Sequence, residues 1–252
     1  MPHSRARHPA VTSLPAVSEE NPWETLSGEV RYENKWIRVT EHQVVNPSGN
    51  PGIYGVVHFK SVAIGVLPVD ADGCVHLVGQ YRYSLNAYSW EMPEGGGAPD
   101  MPPIEEAKRE LREETGLVAR RWLELLPIHT SNSICDEHGV IYLAWDMEQT
   151  ESEPEDTEQL TIVRMPFASV VDLVMEGVIT DSMTVAAVLK AQLLALRWQT
   201  LNQQVGSREQ VIGDQEVAFE ALVAEQRSAE QRDEADQPGD RPSQDRPGAV
   251  DV

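Results

Sequence analysis

The first half of the chain alternates between apolar and polar residues in the two-residue period of half-buried strands. This pattern predicts strands at residues 30–32, 36–39 and 53–59. Residues 61–67 are continuously apolar, which is typical of a strand buried on both faces. A turn signal at residues 70–73 predicts a tight hairpin, with residues 74–80 as the returning strand.

Helical spacing takes over in the middle of the chain and again near its end. Residues 104–115 are predicted as a helix, because a proline suits the first turn and four side chains are spaced to pack on one side: Ile104, Ala107, Lys108 and Leu111. Further strands are predicted at residues 122–131, 140–147 and 160–165, an acidic loop at 148–158, and helices at 167–176 and 184–198. This order of elements favours an α/β/α sandwich with a mixed sheet.

Composition divides the chain into three parts. Residues 1–20 are expected to form a disordered leader, and they lack the apolar segment of a secretory signal. Residues 21–199 carry the alternating and helical patterns of a folded domain. From about residue 200 a polar helical extension is expected, followed by an acidic tail with a disordered composition. No apolar run reaches membrane-spanning length.

The charge balance narrows the possible partners. The chain has 41 acidic and 20 basic residues and a formal net charge of -21. Such a chain is disfavoured as a binder of polymeric nucleic acid, and a metal cation is the expected bridge to an anionic substrate. Cys74 and Cys135 are too few for a disulfide framework and lack a zinc-binding spacing, which fits a reducing cytoplasm.

An acidic motif at residues 109–117 holds the clearest chemical signal. Glu110 and Glu114 are four residues apart, so they project from one helical face and repel each other by a few tenths of a kcal/mol, roughly, without a nearby cation. A hard divalent cation bound by carboxylate oxygens would supply that charge. Gly116 suits the left-handed helix end, and residues 94–99 are predicted as a glycine-rich loop leading into the helix. A solvated helix face is the alternative interpretation of the acidic run.

Together these residues resemble the Nudix box, the signature of the Nudix hydrolase family. The box glycine is Gly95, and the closing Arg-Glu-Leu-Arg-Glu-Glu-Thr-Gly-Leu block follows at the family's spacing. One position departs, because Met101 replaces the first glutamate of the box. The resemblance implies the Nudix fold over residues 21–199, with an N-terminal strand extension and Mg²⁺, or alternatively Mn²⁺, as the cofactor.

The resemblance also implies roles for the box residues. The expected metal ligands are Glu110 and Glu114, with Glu113 supporting them and Glu94 adding its backbone carbonyl. Glu114 and Arg109 are assigned to the catalytic set, and Arg109 is expected to orient the glutamates. Since its usual partner is absent, Glu105, one turn earlier, is predicted to pair with Arg109 instead.

Outside the box, the chain resembles the ADP-ribose pyrophosphatase-like branch of the family. The similarity rests on residues 36–39, 78–83, 90–93 and 177–184. It implies a homodimer and a small nucleoside diphosphate substrate, with ADP-ribose ahead of other nucleotide sugars such as GDP-mannose. Asn132 departs from the branch, since a proline is usual at this distance from the box.

The remaining site residues follow from chemistry and from position in the branch. Arg82 is predicted to grip a phosphate with its two-pronged guanidinium, and Glu91 to hydrogen-bond a base or ribose. Gly95 and Gly96 complete the substrate-binding set. Glu158 is the preferred downstream catalytic carboxylate; the alternatives are Glu137, Glu153 and Glu155.

Two functions remain open at this point. An Mg²⁺-dependent hydrolase is favoured, because a pure binding module needs no stacked carboxylates. A non-catalytic Nudix ligand-binding module is the alternative, and Met101 is the feature in its favour. A nucleoside triphosphate hydrolase is less favoured, because the N-terminal strands resemble the ADP-ribose branch.

Overall fold

The computed structural model of the protein describes residues 20–151 and 159–204, the last seven without side-chain detail. Its strands are β1 (Glu24–Glu33), β2 (Ile37–Val45), β3 (Pro51–Phe59), β4 (Val62–Pro68), β5 (Cys74–Arg82), β6 (Ala87–Glu91), β7 (Glu94–Gly97), β8 (Leu117–His129), β9 (His138–Gln149) and β10 (Thr161–Pro166). Its helices are α1 (Pro103–Thr115), α2 (Phe167–Met175) and α3 (Ser182–Gln204).

Three sheets organise the described residues. β1, β2 and β3 form an antiparallel N-terminal sheet. The central sheet has the order β7-β4-β9-β8, in which β4 and β9 are parallel and the outer pairs are antiparallel. A third sheet has the order β10-β5-β6. The sheet that carries the helices is therefore mixed, as predicted.

The larger core lies on one side of the central sheet, against the third sheet and the last two helices. Leu67, Leu77, Ile141 and Phe167 are almost completely buried in it. α3 can approach closely because small side chains face the core at four-residue intervals: Ala187, Ala191 and Ala195.

The smaller core lies on the opposite side of the central sheet, under α1. Alternate β4 residues, Val62, Ile64 and Val66, pack there against Ala107 and Leu111 of the helix. Since α1 covers one face of the central sheet and the other two helices pack on the far side, the predicted α/β/α arrangement is confirmed. None of the described helices combines the length and apolarity needed to cross a membrane.

The structure corrects three local predictions. Residues 94–97 are not a loop: they form β7, which pairs with β4. Lys108 is exposed instead of lying on the packed side of the box helix, where Glu106 and Glu110 are buried. α3 continues through Gln204 instead of ending near residue 198.

Candidate active site

The acidic motif lies on α1, whose ends are set by local sequence. The helix follows Pro102, and it ends at Gly116, whose positive φ of 72° closes the last turn with a bond to the Arg112 carbonyl. Three carboxylates spaced four residues apart lie on its inward face and are buried: Glu106, Glu110 and Glu114, with exposures of 8%, 7% and 2%. Ordinary surface glutamates are seldom so buried, which argues against the solvated-face interpretation.

These carboxylates pack directly on β7. The Glu94 N–H donates to Glu114 Oε2 at 3.0 Å. A methyl group at Gly95 would overlap the Glu110 carboxylate, so this glutamate occupies space that only glycine leaves. Gly97 gives the same access to Glu106, whose Cγ would lie 3.0 Å from an added Cβ. β7 is therefore glycine-rich because the carboxylates of α1 lie against its backbone.

Arg109 joins the carboxylates into one network. Its Nε and Nη2 donate to Glu106 Oε2 at 3.0 and 2.8 Å, its Nη2 to Glu110 Oε1 at 2.6 Å, and its Nη1 to Glu113 Oε2 at 2.6 Å. Burial lowers the pKa of Arg109, but the hydrogen bond to Glu106 and the charge of Glu110 raise it overall, so the guanidinium stays charged. It also reaches the Gly96 carbonyl at 3.3 Å, which ties α1 to β7.

The predicted partner of Arg109 is wrong. Glu105 is exposed and pairs with Lys108 at 2.8 Å, while Glu106 takes the place next to Arg109. The reason is the rotation of α1: position 106 faces β7 and position 105 faces solvent. Met101, the missing box glutamate, is 47% exposed. The arginine therefore has a carboxylate partner without a glutamate at position 101.

Arg82 lies between two carboxylates of the predicted site. Its Nε donates to both oxygens of Glu91 at 3.0 Å, and its Nη2 to Glu91 Oε2 at 2.5 Å and Glu94 Oε1 at 2.9 Å. Glu91 is only 2% exposed, so it lies behind the guanidinium instead of facing open solvent. Arg82 itself remains about one-third exposed, with a side-chain value of 34%.

A cleft of about 380 Å³ opens beside β7 and brings several of these residues together. It is lined by Phe59, Ser61, Ala63, Ile64, Arg82, Glu94, Gly95, Gly96, Thr130, Glu137, Asp181, Ser182 and Met183. The predicted residues Arg82, Glu94, Gly95 and Gly96 thus share one cavity. Glu137, an alternative for the downstream carboxylate, lines it too. Glu158, Glu153 and Glu155 lie outside the described residues, so their predicted roles stay predictions.

Asp181 is a cleft residue that sequence reasoning missed. Its Oδ2 accepts from the Thr184 N–H at 2.7 Å, so it caps the start of α3 while facing the cleft. The Asp-x-x-Thr spacing at the start of a predicted helix signals the cap, but only the packing of α3 brings it to the cleft.

The acidic groups of the cleft lie close enough together that a bound cation would be favourable. Burial raises the pKa of Glu94 well above its ordinary value, and the charges of Asp181 and Glu91 raise it further, against the opposing effect of Arg82. Glu94 Oε2 is buried and has no hydrogen-bond partner among the described residues. Oxygen donors crowded in this way fit a hard divalent cation. Within residues 20–151 and 159–204, no group of three or more His, Cys, Asp or Glu side chains is arranged to hold a metal ion.

Two family descriptions match the chain at its structural subdivisions. Residues 23–57, which comprise most of the N-terminal sheet, match the nucleoside diphosphate sugar hydrolase N-terminal domain, and residues 59–182 match the NUDIX domain.

Three relatives align with about two-thirds of the chain. It is 33% identical over 175 residues to an ADP-ribose pyrophosphatase of Mycobacterium tuberculosis, a match covering 68% of this chain and 83% of the relative. It is 27% identical to an ADP-ribose pyrophosphatase of Bacillus subtilis, covering 67% of this chain and 92% of that one. A methanol dehydrogenase activator of Bacillus methanolicus is 26% identical, with the same shares of 67% and 92%.

A solved structure supports the fold alone. The crystal structure of an ADP compounds hydrolase superposes with a TM-score of 0.64 at 21% identity, covering 75% of this chain and all (100%) of that one. Three observations point to the same family. They are the 33% identity to the Mycobacterium tuberculosis relative, the match to the NUDIX domain, and the packing of the acidic helix α1 on the glycines of β7. The chain belongs to the NUDIX family and is a Nudix pyrophosphohydrolase similar to the ADP-ribose pyrophosphatases.

Proposed function

We propose that this enzyme hydrolyses ADP-ribose to AMP and ribose 5-phosphate with Mg²⁺ as its cofactor. The observation that carries the proposal is the packing of Glu110 and Glu114 on Glu94 and Gly95, two residues that line a cleft of about 380 Å³. Two curated relatives named ADP-ribose pyrophosphatase support this substrate. Another nucleotide sugar, such as GDP-mannose, is the alternative, because the box residues act on the pyrophosphate and not on the sugar.

The charges lining the cleft support a metal requirement. Among the described residues that line it, three are acidic, Glu94, Glu137 and Asp181, and Arg82 is the basic one. A pyrophosphate entering this cleft meets net negative charge, so it needs an added cation for favourable binding. The three acidic residues are half-buried, and repulsion from those that are ionised is stronger there than it would be in water.

The proposed metal ligands are the carboxylates of Glu110 and Glu114, with Glu113 in support and the backbone carbonyl of Glu94 as a further donor. When bound, the cation supplies positive charge that neutralises the pyrophosphate oxygens and favours attack by water. All these donors are carboxylate or carbonyl oxygens, which suit both Mg²⁺ and Mn²⁺; Mg²⁺ is proposed first, with Mn²⁺ as the alternative.

The chain's own residues then orient the reactants. Arg109 binds Glu110 and Glu113 through bonds of 2.6 Å, which reduces the repulsion between these carboxylates and keeps them in place. Glu91 holds Arg82 from behind, so the exposed side of the guanidinium is presented to a phosphate. This assigns Glu91 a role in orienting Arg82 as well as the proposed contact with a base or ribose.

The proton acceptor is proposed to be a carboxylate downstream of the box. Glu158 remains the first choice from its position in the branch, and Glu114 on α1 stays in the proposed catalytic set as a metal ligand. Glu137 is the alternative that the cleft supports, because it lines the cavity and its Oε2 accepts from Thr130 Oγ1 at 2.6 Å.

One screen tests this function. Purified enzyme is given ADP-ribose, GDP-mannose, UDP-glucose, dinucleoside polyphosphates and nucleoside triphosphates, with Mg²⁺, with Mn²⁺ and with excess chelator, and products are separated by chromatography. AMP and ribose 5-phosphate released only with metal support the proposal. Turnover that continues unchanged in chelator would refute the metal assignment, and faster turnover of another nucleotide sugar would replace the substrate.

We also propose that the enzyme is a cytoplasmic homodimer. All ten residues of β1 are exposed, and bulky apolar side chains lie along it: Leu26, Val30 and Tyr32, with exposures of 57%, 51% and 55%. A sheet with so much exposed apolar surface is typical of an interface, and a second copy is its proposed partner. Cys74 and Cys135 are not joined by a disulfide, which supports a reducing compartment.

Sedimentation of Val30→Glu against wild type tests the dimer. A buried charge at the interface should shift the enzyme toward monomer, with Glu20→Gln as an exposed control outside β1. A wild-type monomer at micromolar concentration would contradict the proposal.

A further inference from the structure

The connection between β8 and β9 (residues 130–137, hereafter the β8–β9 loop) is bonded to the N-terminal sheet. The Val57 N–H donates to the Ile134 carbonyl at 2.9 Å, and the Asp136 N–H donates to the Val57 carbonyl at 3.2 Å. The loop therefore extends the free edge of β3 by one parallel bridge, centred on Val57 and Cys135. A single bridge is a weak attachment by itself, since it lacks the neighbouring bonds of a full ladder.

The Asp136 side chain strengthens this attachment. Its Oδ2 is 2.7 Å from His58 Nδ1, and its Oδ1 accepts from the Phe59 N–H at 2.9 Å. One carboxylate thus binds two consecutive residues at the end of β3. Hydrogen bonds to an ionised acceptor are about twice as strong as neutral ones, so Asp136 adds charge-assisted contacts to the bridge and to the bond that the Tyr54 hydroxyl donates to the Ser133 carbonyl at 2.8 Å.

The residues held by Asp136 line the cleft from two directions. Phe59, whose amide it binds, lines the cleft from the end of β3. Glu137, the next residue of the loop, lines the cleft and accepts from Thr130, which lines it as well. Asp136 therefore couples Phe59, at the end of the N-terminal sheet, to the part of the cleft wall that the β8–β9 loop contributes.

We propose that Asp136 is a positioning residue for substrate binding. By holding Phe59 and the β8–β9 loop together, it fixes Glu137 and Thr130 at the rim of the cleft and so sets the affinity for the substrate. The carboxylates of α1 pack on Glu94 and Gly95 of β7 instead of on this loop, and Glu158 is the preferred proton acceptor, so turnover of bound substrate depends on Asp136 much less. This inference rests on the proposed function for its substrate.

Steady-state kinetics of Asp136→Ala with ADP-ribose tests the affinity effect. We expect KM to rise about tenfold, equivalent to the net contribution of roughly one charge-assisted hydrogen bond, while kcat stays within about threefold. Asp136→Asn keeps an acceptor oxygen for the Phe59 amide and the same shape, so it should recover most of the affinity. Asp72→Ala is the matched control, because Asp72 is an exposed aspartate paired with Arg164 at 2.6 Å and does not line the cleft.

Two results would overturn the positioning role. One is an unchanged KM in Asp136→Ala. The other is a loss of kcat as large as the rise in KM, since that pattern indicates a general structural role instead of a role in substrate affinity. If Asp136→Ala is not obtained folded, His58→Ala removes one of the two contacts of this carboxylate and keeps the bond from the Phe59 N–H. KM should then rise by a smaller factor, about threefold, and an unchanged KM together with unchanged hydrogen exchange in residues 130–137 overturns the role.

Hydrogen exchange separates this inference from the proposed substrate. Peptides covering residues 57–60 and 130–137 should exchange faster in Asp136→Ala than in wild type, while core peptides from β4 and β9 remain unchanged. If the wild-type enzyme does not hydrolyse ADP-ribose, the proposed function fails and the exchange result still decides whether Asp136 fixes the loop. Equal exchange in the two proteins would refute the attachment itself.

Discussion

Replacing Glu106 with glutamine should slow turnover, whereas the same change at Glu105 should not. The two glutamates are adjacent in sequence and differ in what they contact. Glu106 is 8% exposed and accepts two bonds from Arg109, while Glu105 is exposed and pairs with Lys108. Helix propensity and net charge change equally in the two variants. Any difference between them therefore reports the contact of Glu106 with Arg109.

The size of the effect follows from the geometry. A single Glu106 oxygen accepts both bonds, so a glutamine oxygen can take its place and only the charge is lost. Hydrogen bonds to charged partners contribute about 1.5–3 kcal/mol and neutral ones about 0.5–1.5 kcal/mol, which leaves a loss of about 1 kcal/mol. The Arg109 side chain is 36% exposed, so solvent screening prevents the loss from being much larger than about 1 kcal/mol. If all of it affects the transition state, turnover falls roughly fivefold.

The assay compares kcat of both variants and the wild type on the best substrate of the screen, together with their melting temperatures. Glu106→Gln should lose activity with little change in melting temperature, and Glu105→Gln should stay within about twofold, as expected for a surface change. Met101→Glu should also stay within about threefold, because Glu106 already pairs with Arg109. A loss in Glu105→Gln with none in Glu106→Gln would refute this assignment. Activity gained by Met101→Glu from an inactive parent would refute the view that position 101 is dispensable.

Other outcomes follow from the same structure. Glu110→Gln and Glu114→Gln should each lower turnover at least ~10²-fold by removing about 3 kcal/mol of transition-state stabilisation, and near-normal rates in both would exclude them as metal ligands. Gly95→Ala should displace the Glu110 carboxylate and cost up to about 10²-fold in rate while circular dichroism shows a folded protein; full activity would contradict the packing. Burial opposes ionisation of Asp70, yet the hydrogen bond from Arg164 and two backbone amides lower its folded pKa overall. Because the folded pKa lies below the unfolded pKa of about 3.9, ionised Asp70 stabilises the fold at pH values above about 3.9. This stabilisation is lost as the pH falls through the folded pKa. Arg164→Gln should therefore lower the urea midpoint at pH 6, and the midpoint should fall less steeply between pH 6 and pH 3 than in wild type. An equally steep fall in both proteins would count against the Asp70–Arg164 pair.

Much of the fold was predictable because its strands and helices carry clear periodic patterns. The box helix was predicted within one residue of its observed start and to its observed end at Thr115, since a proline and a glycine mark its two ends. β7 was missed because glycine has a low strand propensity, and its pairing with β4 overrides that propensity. Fold class and family could thus be inferred from local sequence, but a strand built of glycines could not.

The site was predictable only as far as single elements define it. Glu110 and Glu114 were identified from their spacing on one helix. The partner of Arg109 depends on how α1 is rotated against β7, and a spacing rule does not choose between positions 105 and 106. Asp181 reaches the cleft through the packing of α3, a contact between segments far apart in sequence that no local pattern encodes.

The glycines of β7 also set a limit on how stable this enzyme can become. Each glycine in a strand lowers stability by about 0.5–1 kcal/mol relative to alanine, because it restricts the unfolded chain less, and β7 contains three in succession. Gly95 and Gly97 leave space that Glu110 and Glu106 fill, so a stabilising side chain there would displace the acidic helix face. At Gly96 an added methyl meets only Ser61, at 3.3 Å, so it is the least crowded of the three positions, but Ser61 would have to move by a few tenths of an ångström and the substitution would add a side chain at the cleft.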